Sequence, residues 1–150
     1  MRHGSRAGAV LIAGAVLGAA SPPESAVPHD LTVTVEGLRS HRGQVLACLT
    51  ANPQTFPDCA KDARARKLAV PAGEAQTIVF AGLAQGTYAV SLLHDENGNG
   101  KPDMALMMPR EGFGFSRNPA IRFGPPAFAR AAFAMDGTAR HETIRMRYMF

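Results

Sequence analysis

Leu31, Val33 and Val35 alternate with Thr32, Thr34 and Glu36, a period of two that predicts a half-buried β-strand ending at Gly37. The same texture recurs along the chain. Gln44 to Leu49 reads as a second strand. Leu68 to Val70 reads as a short third one, stopped by Pro71-Ala72-Gly73. Gln76 to Phe80 is another, and the turn Gly82-Leu83-Ala84-Gln85-Gly86 leads into Thr87 to Leu93, where Tyr88, Val90 and Leu92 share a face. Ala127 to Met135 reads as a strand carrying Phe128 and Phe133. Thr143 to Tyr148 follows, with Ile144, Met146 and Tyr148 inward. Residues 60–67 allow one or two helical turns but show no apolar stripe. About seven short strands, frequent turn residues and no long amphipathic helix predict an all-β, antiparallel, immunoglobulin-like β-sandwich. A membrane β-barrel would need strands of ~9–11 residues with a lipid-facing band, longer than most of these.

The first twenty residues break this texture. Arg2, His3 and Arg6 precede an apolar run from Ala7 to Ala20 that closes on Gly18-Ala19-Ala20, the pattern of a secretory signal peptide with cleavage after Ala20. The run is shorter than the ~20 residues of a spanning helix, so no stable membrane span is expected after cleavage. The expected organisation is a signal peptide (1–20), a flexible mature N-terminus (21–29) and one β-sandwich domain (30–150), with a periplasmic or secreted location. The net charge of +4 falls to +2 without Arg2 and Arg6. The one basic cluster, Lys61, Arg64, Arg66 and Lys67, lacks interleaved aromatics and reads as a solvated loop, not a nucleic-acid surface.

Export changes the meaning of the two cysteines. In an oxidising compartment Cys48 and Cys59 are expected to form one disulfide across a local loop. No histidine or third cysteine stands at zinc-ligand spacing from them.

The stretch richest in candidate chemistry is His94-Asp95-Glu96-Asn97-Gly98-Asn99-Gly100-Lys101-Pro102-Asp103. Oxygen-bearing side chains at alternate positions followed by glycine match the opening of a calcium loop. Asp95, Asn97, Asn99, Lys101 and Asp103 are the candidate ligands. Leu106 stands where an EF-hand places its bidentate Glu, so a half-loop between strands is expected, with affinity at the weak end, about 10⁻⁴–10⁻³ M. The same residues also suit a metal-free turn, because Gly and Asn tolerate positive φ and Asx side chains bond nearby backbone N–H groups. Both readings stand at this level.

Downstream, Met104, Met107 and Met108 suit core filling; with His94 they are also the residues a copper site would use. In Glu111-Gly112-Phe113-Gly114-Phe115-Ser116, glycines alternating with aromatics predict a backbone packed closely against a neighbour. A metal-assisted hydrolase would draw on His94, Asp95 and Glu111. A catalytic metal needs about three protein ligands and an open position, and His29, His41 and His141 are isolated in sequence. Ser116 and Cys48 have no nucleophile-elbow context. For His94 the expected role is a hydrogen bond at a strand end.

Three motifs in order, Gly82-Leu83-x-x-Gly86-Thr87-Tyr88-Ala89-Val90, then the 94–103 stretch, then Pro109-x-Glu111-Gly112-Phe113-Gly114-Phe115-Ser116, resemble the domain of unknown function 2141 family of small exported bacterial proteins. The resemblance covers roughly residues 80–135. It implies a transthyretin-like or carboxypeptidase-regulatory-like sandwich and no established activity. The chain departs from the family pattern at Met104-Ala105-Leu106-Met107-Met108-Pro109, where polar residues and Gly-Ile-Pro are usual, and so loses candidate oxygen ligands. The expected function is that of an exported non-enzymatic module, with calcium as candidate cofactor and an envelope protein or glycan as partner. The alternatives are the hydrolase and a periplasmic copper-binding protein.

Overall fold

The structure is a computed structural model that describes residues 27–150, apart from 103, 106 and 107, together with Gly4, Gly18 and Ala20. All of the candidate leader but Gly4, Gly18 and Ala20, the candidate ligand Asp103 and Met107 therefore fall outside the described residues. So do the side chains of Met104 and Met108.

Two sheets face each other. The first has the order β10-β1-β4, from Arg140–Arg145, His29–Glu36 and Thr77–Leu83. The second runs β3-β2-β5-β8, from Arg66–Pro71, Gln44–Thr50, Gly86–Asp95 and Gly112–Phe115, with β9 (Phe133–Met135) also pairing β5. A two-residue hairpin, β6 (Met104–Ala105) with β7 (Met108–Pro109), lies between β5 and β8. Among the described residues, no helix is long and apolar enough to cross a membrane.

The period-two pattern does the work it predicts. Leu31, Val33 and Val35 meet Val45, Ala47 and Leu49, Ile78 and Phe80, Val90 and Leu92, and Ile144 and Met146 in one buried cluster between the sheets. A smaller cluster of Ala89, Phe113, Phe115 and Ala131 lies apart from it, packed with Phe56, Ile121 and Phe128. Cys48 and Cys59 form the disulfide expected of them, with Cα atoms 6.4 Å apart.

Four expectations are corrected. Residues 127–135 are not one strand: after Pro125-Pro126, Phe128–Ala131 makes a single helical turn (α1) from good helix formers, and only Phe133–Met135 pairs with β5. Residues 60–65 form turns, not helix, because Asp62 draws the local donors to itself. It accepts from the Thr50 and Thr55 hydroxyls and the Arg64 N–H. The last strand runs three residues earlier than expected, and it is parallel to β1 in an otherwise antiparallel pairing. The chain leaves the second sheet at β9, turns at Gly137 and crosses to lie beside β1. Finally, Gly112–Phe115 is a full strand, which the aromatic–glycine texture had only marked as closely packed.

Candidate functional site

Strand β5 delivers His94 and Asp95 to one end of the second sheet. The register sets Val45 and Gly112 on either side of His94, and Gln44 beside Asp95. Two glycines make that crowding possible. A Cβ on Gly43, which has φ +69°, would lie 2.0 Å from the Asp95 carbonyl oxygen. A Cβ on Gly112 would lie 2.3 Å from a ring carbon of Tyr148. The 37–43 loop, the 95–101 loop and the C-terminal segment therefore converge where a side chain would hold them apart.

Asp95 is wholly buried. Its Oδ2 accepts from the Gln44 side-chain amide at 2.9 Å and the Gly100 N–H at 2.8 Å. Its Oδ1 accepts from the Asn99 N–H at 3.1 Å, and the Gly98 N–H also bonds the carboxylate. Four donors match the roughly four lone-pair sites of an ionised carboxylate. Burial pushes the Asp95 carboxyl up, but Gln44 and the three backbone donors outweigh it and hold the group below its ordinary range. The pattern repeats along the loop. Asn97 Oδ1 accepts from the Asn99 N–H at 3.1 Å, and Asn99 Oδ1 from the Lys101 N–H at 3.0 Å. Asp95, Asn97 and Asn99 thus each turn a side-chain oxygen onto backbone of their own loop. Lys101 is exposed.

His94 is also wholly buried, and both ring nitrogens are engaged. Nε2 lies 2.9 Å from the Arg42 carbonyl oxygen and Nδ1 lies 2.7 Å from the Tyr148 hydroxyl. A carbonyl only accepts, so Nε2 carries the proton. In the neutral ring Nδ1 then accepts from Tyr148, whose own oxygen accepts the Arg39 N–H at 3.2 Å. Burial pushes the Tyr148 hydroxyl up, which keeps it a donor.

Arg39 ties the ensemble together. Its Nε and Nη2 donate to Glu96 Oε2 at 3.1 and 2.5 Å, its Nη1 donates to the Phe150 carbonyl at 2.6 Å, and its guanidinium lies 4.4 Å over the Tyr148 ring. Glu96 Oε1 accepts from the Ser40 hydroxyl at 2.7 Å. The Arg39 hydrogen bonds pull the Glu96 carboxyl down to about 2. Glu111 is buried and near enough to Arg39 to raise the guanidinium pKa further.

The structure thus brings together His94, Asp95, Asn97, Asn99 and Lys101, with Glu111 beside Arg39. It sets Cys48 on β2 and Cys59 in the turns that follow that strand, joined by the disulfide. Arg39, Ser40, Gln44 and Tyr148 were not legible as site residues. Tyr148 carried a signal as an inward position of the last strand; Arg39 and Ser40 sit in a polar loop with none. Among the described residues, no three of His, Cys, Asp and Glu gather as an ion-holding group.

The model of a bacterial family described as "Uncharacterized protein conserved in bacteria (DUF2141)" matches residues 33–143. No curated protein and no solved structure matches the chain.

Proposed function

The chain belongs to the bacterial DUF2141 family, and on that premise we propose that it is an exported, non-catalytic β-sandwich module that binds an envelope protein or glycan. The 95–101 loop acts in it as a preorganised structural platform. The observation that carries this reading is the commitment of the two best chemical groups to the fold. A general base or metal ligand needs a nitrogen or oxygen turned toward substrate or ion. His94 spends both nitrogens on Tyr148 and Arg42, and Asp95 meets four donors of its own protein. The Cys48–Cys59 disulfide is compatible with an oxidising compartment, which supports export.

Calcium enters this reading as a competitor for Asp95. An ion at the loop would have to displace N–H donors that already fill the carboxylate, which fits weak affinity. The test has two arms. The whole chain is expressed in a bacterium, and the recovered protein is fractionated, weighed and assayed for free thiols. A trimmed, oxidised protein in the periplasm or medium is expected; a reduced, full-length cytosolic protein would sink the proposal. The recovered protein is then melted in chelator and in 5 mM calcium. With Kd near 0.5 mM, calcium would add about 1.4 kcal/mol by mass action, and Asp95→Ala would abolish the gain. No shift leaves the loop a self-supporting turn.

A further inference from the structure

We propose that the loop between β8 and α1 docks the protein peripherally on an anionic phospholipid surface, with Phe123 as the inserting side chain. Phe123 is 99% exposed, where the other exposed large apolar residues range from 37% to 66%. A single exposed apolar residue is ordinary; what sets Phe123 apart is its full exposure on a loop beside exposed arginines. The loop that carries it is anchored. Ile121 and Phe128 pack against the satellite cluster of Ala89, Phe113, Phe115 and Ala131, and Pro126 is buried. Phe56 braces Phe128 and Phe115 in edge-on contacts at 5.9 and 5.8 Å. Gly124, at φ +81°, makes the turn that leaves Phe123 outside. With its feet fixed in this way, the loop does not fold Phe123 back onto the core.

Charge selects the occupant. From Gly112 to Met135 the chain holds Arg117, Arg122 and Arg130 and no acidic residue. All three arginines are exposed. Arg117 is held in place by its bond to the Ala132 carbonyl at 3.2 Å. An arginine fork matches phosphate oxygens, and an aromatic flanked by such forks is the composition of an interfacial lipid contact. The apolar feature is a knob, not a groove. A knob enters the yielding headgroup layer of a bilayer without a preformed pocket, whereas a protein partner would need one. This surface is not the 95–101 loop. β8 begins beside His94 and runs away from it, so the 117–126 segment leaves its far end. The inference therefore stands independently of what that loop binds.

The chain contains no tryptophan, so Phe123→Trp places a single reporter at the tip. The oxidised variant is titrated with vesicles of phosphatidylcholine alone and of phosphatidylcholine with 40 mol% phosphatidylglycerol. A blue shift of emission and quenching by brominated acyl chains are expected only with the anionic vesicles, and both are lost in high salt. Arg122→Ser with Arg130→Ser should weaken partitioning about 25-fold, from about 5-fold for each charge. In the parent chain, Phe123→Ser should weaken it about 10- to 150-fold, the worth of one buried phenylalanine. A tryptophan emission unchanged at saturating anionic lipid overturns the proposal. Sedimentation with vesicles while the reporter stays in water overturns it equally, since the contact would then lie elsewhere on the chain.

Discussion

Tyr148→Phe removes one oxygen atom, and the geometry fixes what that atom is worth. The ring stays: it still fills the space above Gly112 and still lies 4.4 Å beneath the Arg39 guanidinium. The donor to His94 Nδ1 goes, and His94 itself has no exposed surface. A buried acceptor left without its partner costs about 1–3 kcal/mol. The Arg39 N–H that bonded the same oxygen adds little, because Arg39 reaches water. For a domain of this size the loss corresponds to a fall in Tm of roughly 3–10 °C. Urea denaturation of the oxidised protein, with an unchanged m-value, measures it directly. Gly112→Ala should cost more, about 2–5 kcal/mol, because its Cβ must drive the tyrosine ring off its seat and so adds overpacking to the lost bond. The companion measurement is the ¹⁵N–¹H correlation of the His94 ring, which should show the Nε2–H tautomer. A change below about 0.5 kcal/mol for Tyr148→Phe would refute the buried Tyr148–His94 hydrogen bond. So would an Nδ1–H tautomer, since the Arg42 carbonyl would then face a bare nitrogen.

Two further outcomes follow from the same structure. Glu96 is held at about 2 when folded against an ordinary value of 4.5, so its contribution is full above pH 4.5 and drains as pH falls toward 2. Because Arg39 is 39% exposed and screened by water, the contribution is discounted to about 1–2 kcal/mol. The difference in stability between the parent and Glu96→Gln should shrink to near zero across that window; a difference that does not vary with pH would contradict the pairing. Reduction of Cys48–Cys59, which closes a loop across 11 positions, should cost about 3 kcal/mol in the chain-entropy model. A denaturation curve indifferent to reductant would mean that the Asp62 bonds to Thr50 and Thr55 already close that loop.

Much of this fold was written in period-two alternation. β1 carries it strictly; in β2 and β5 the core positions Val45, Ala47, Leu49, Val90 and Leu92 keep the same spacing inside more continuous apolar runs. The pattern failed where local chemistry outran periodicity. Ala127 to Met135 is apolar enough for a strand, but a proline pair and a run of helix formers spend its first half on a helical turn. The direction of β10 was illegible because alternation does not distinguish a parallel neighbour from an antiparallel one. At the site, the motif residues were visible because Asp, Asn and Gly at alternate positions are rare outside turns and ion loops. Their partners were not. Arg39 and Ser40 lie 57 and 56 residues from Glu96, and only the pairing of β2 with β5 brings their loop to it.

The alternation of glycine and phenylalanine in β8 accounts for how the two ends of the molecule come to share one strand. On the inner face, Gly112 and Gly114 carry nothing, so Tyr148 settles over the first while Ile144 and Met146 settle over the second. The C-terminal segment can then approach closely enough for Phe113 and Arg147 to exchange backbone bonds at 3.0 and 2.8 Å. On the outer face, Phe113 and Phe115 build the satellite cluster on which Ile121 and Phe128 stand. Any side chain in place of the glycines would lift the tail and break the Tyr148–His94 bond; any small residue in place of the phenylalanines would loosen the loop that presents Phe123. Neither substitution reaches through the sheet to the other face, because successive side chains of a strand point to opposite sides. The His94–Arg39 assembly and the Phe123 loop therefore share a strand as foundation while being separable by mutation, which is what two independent surfaces on one small sandwich require.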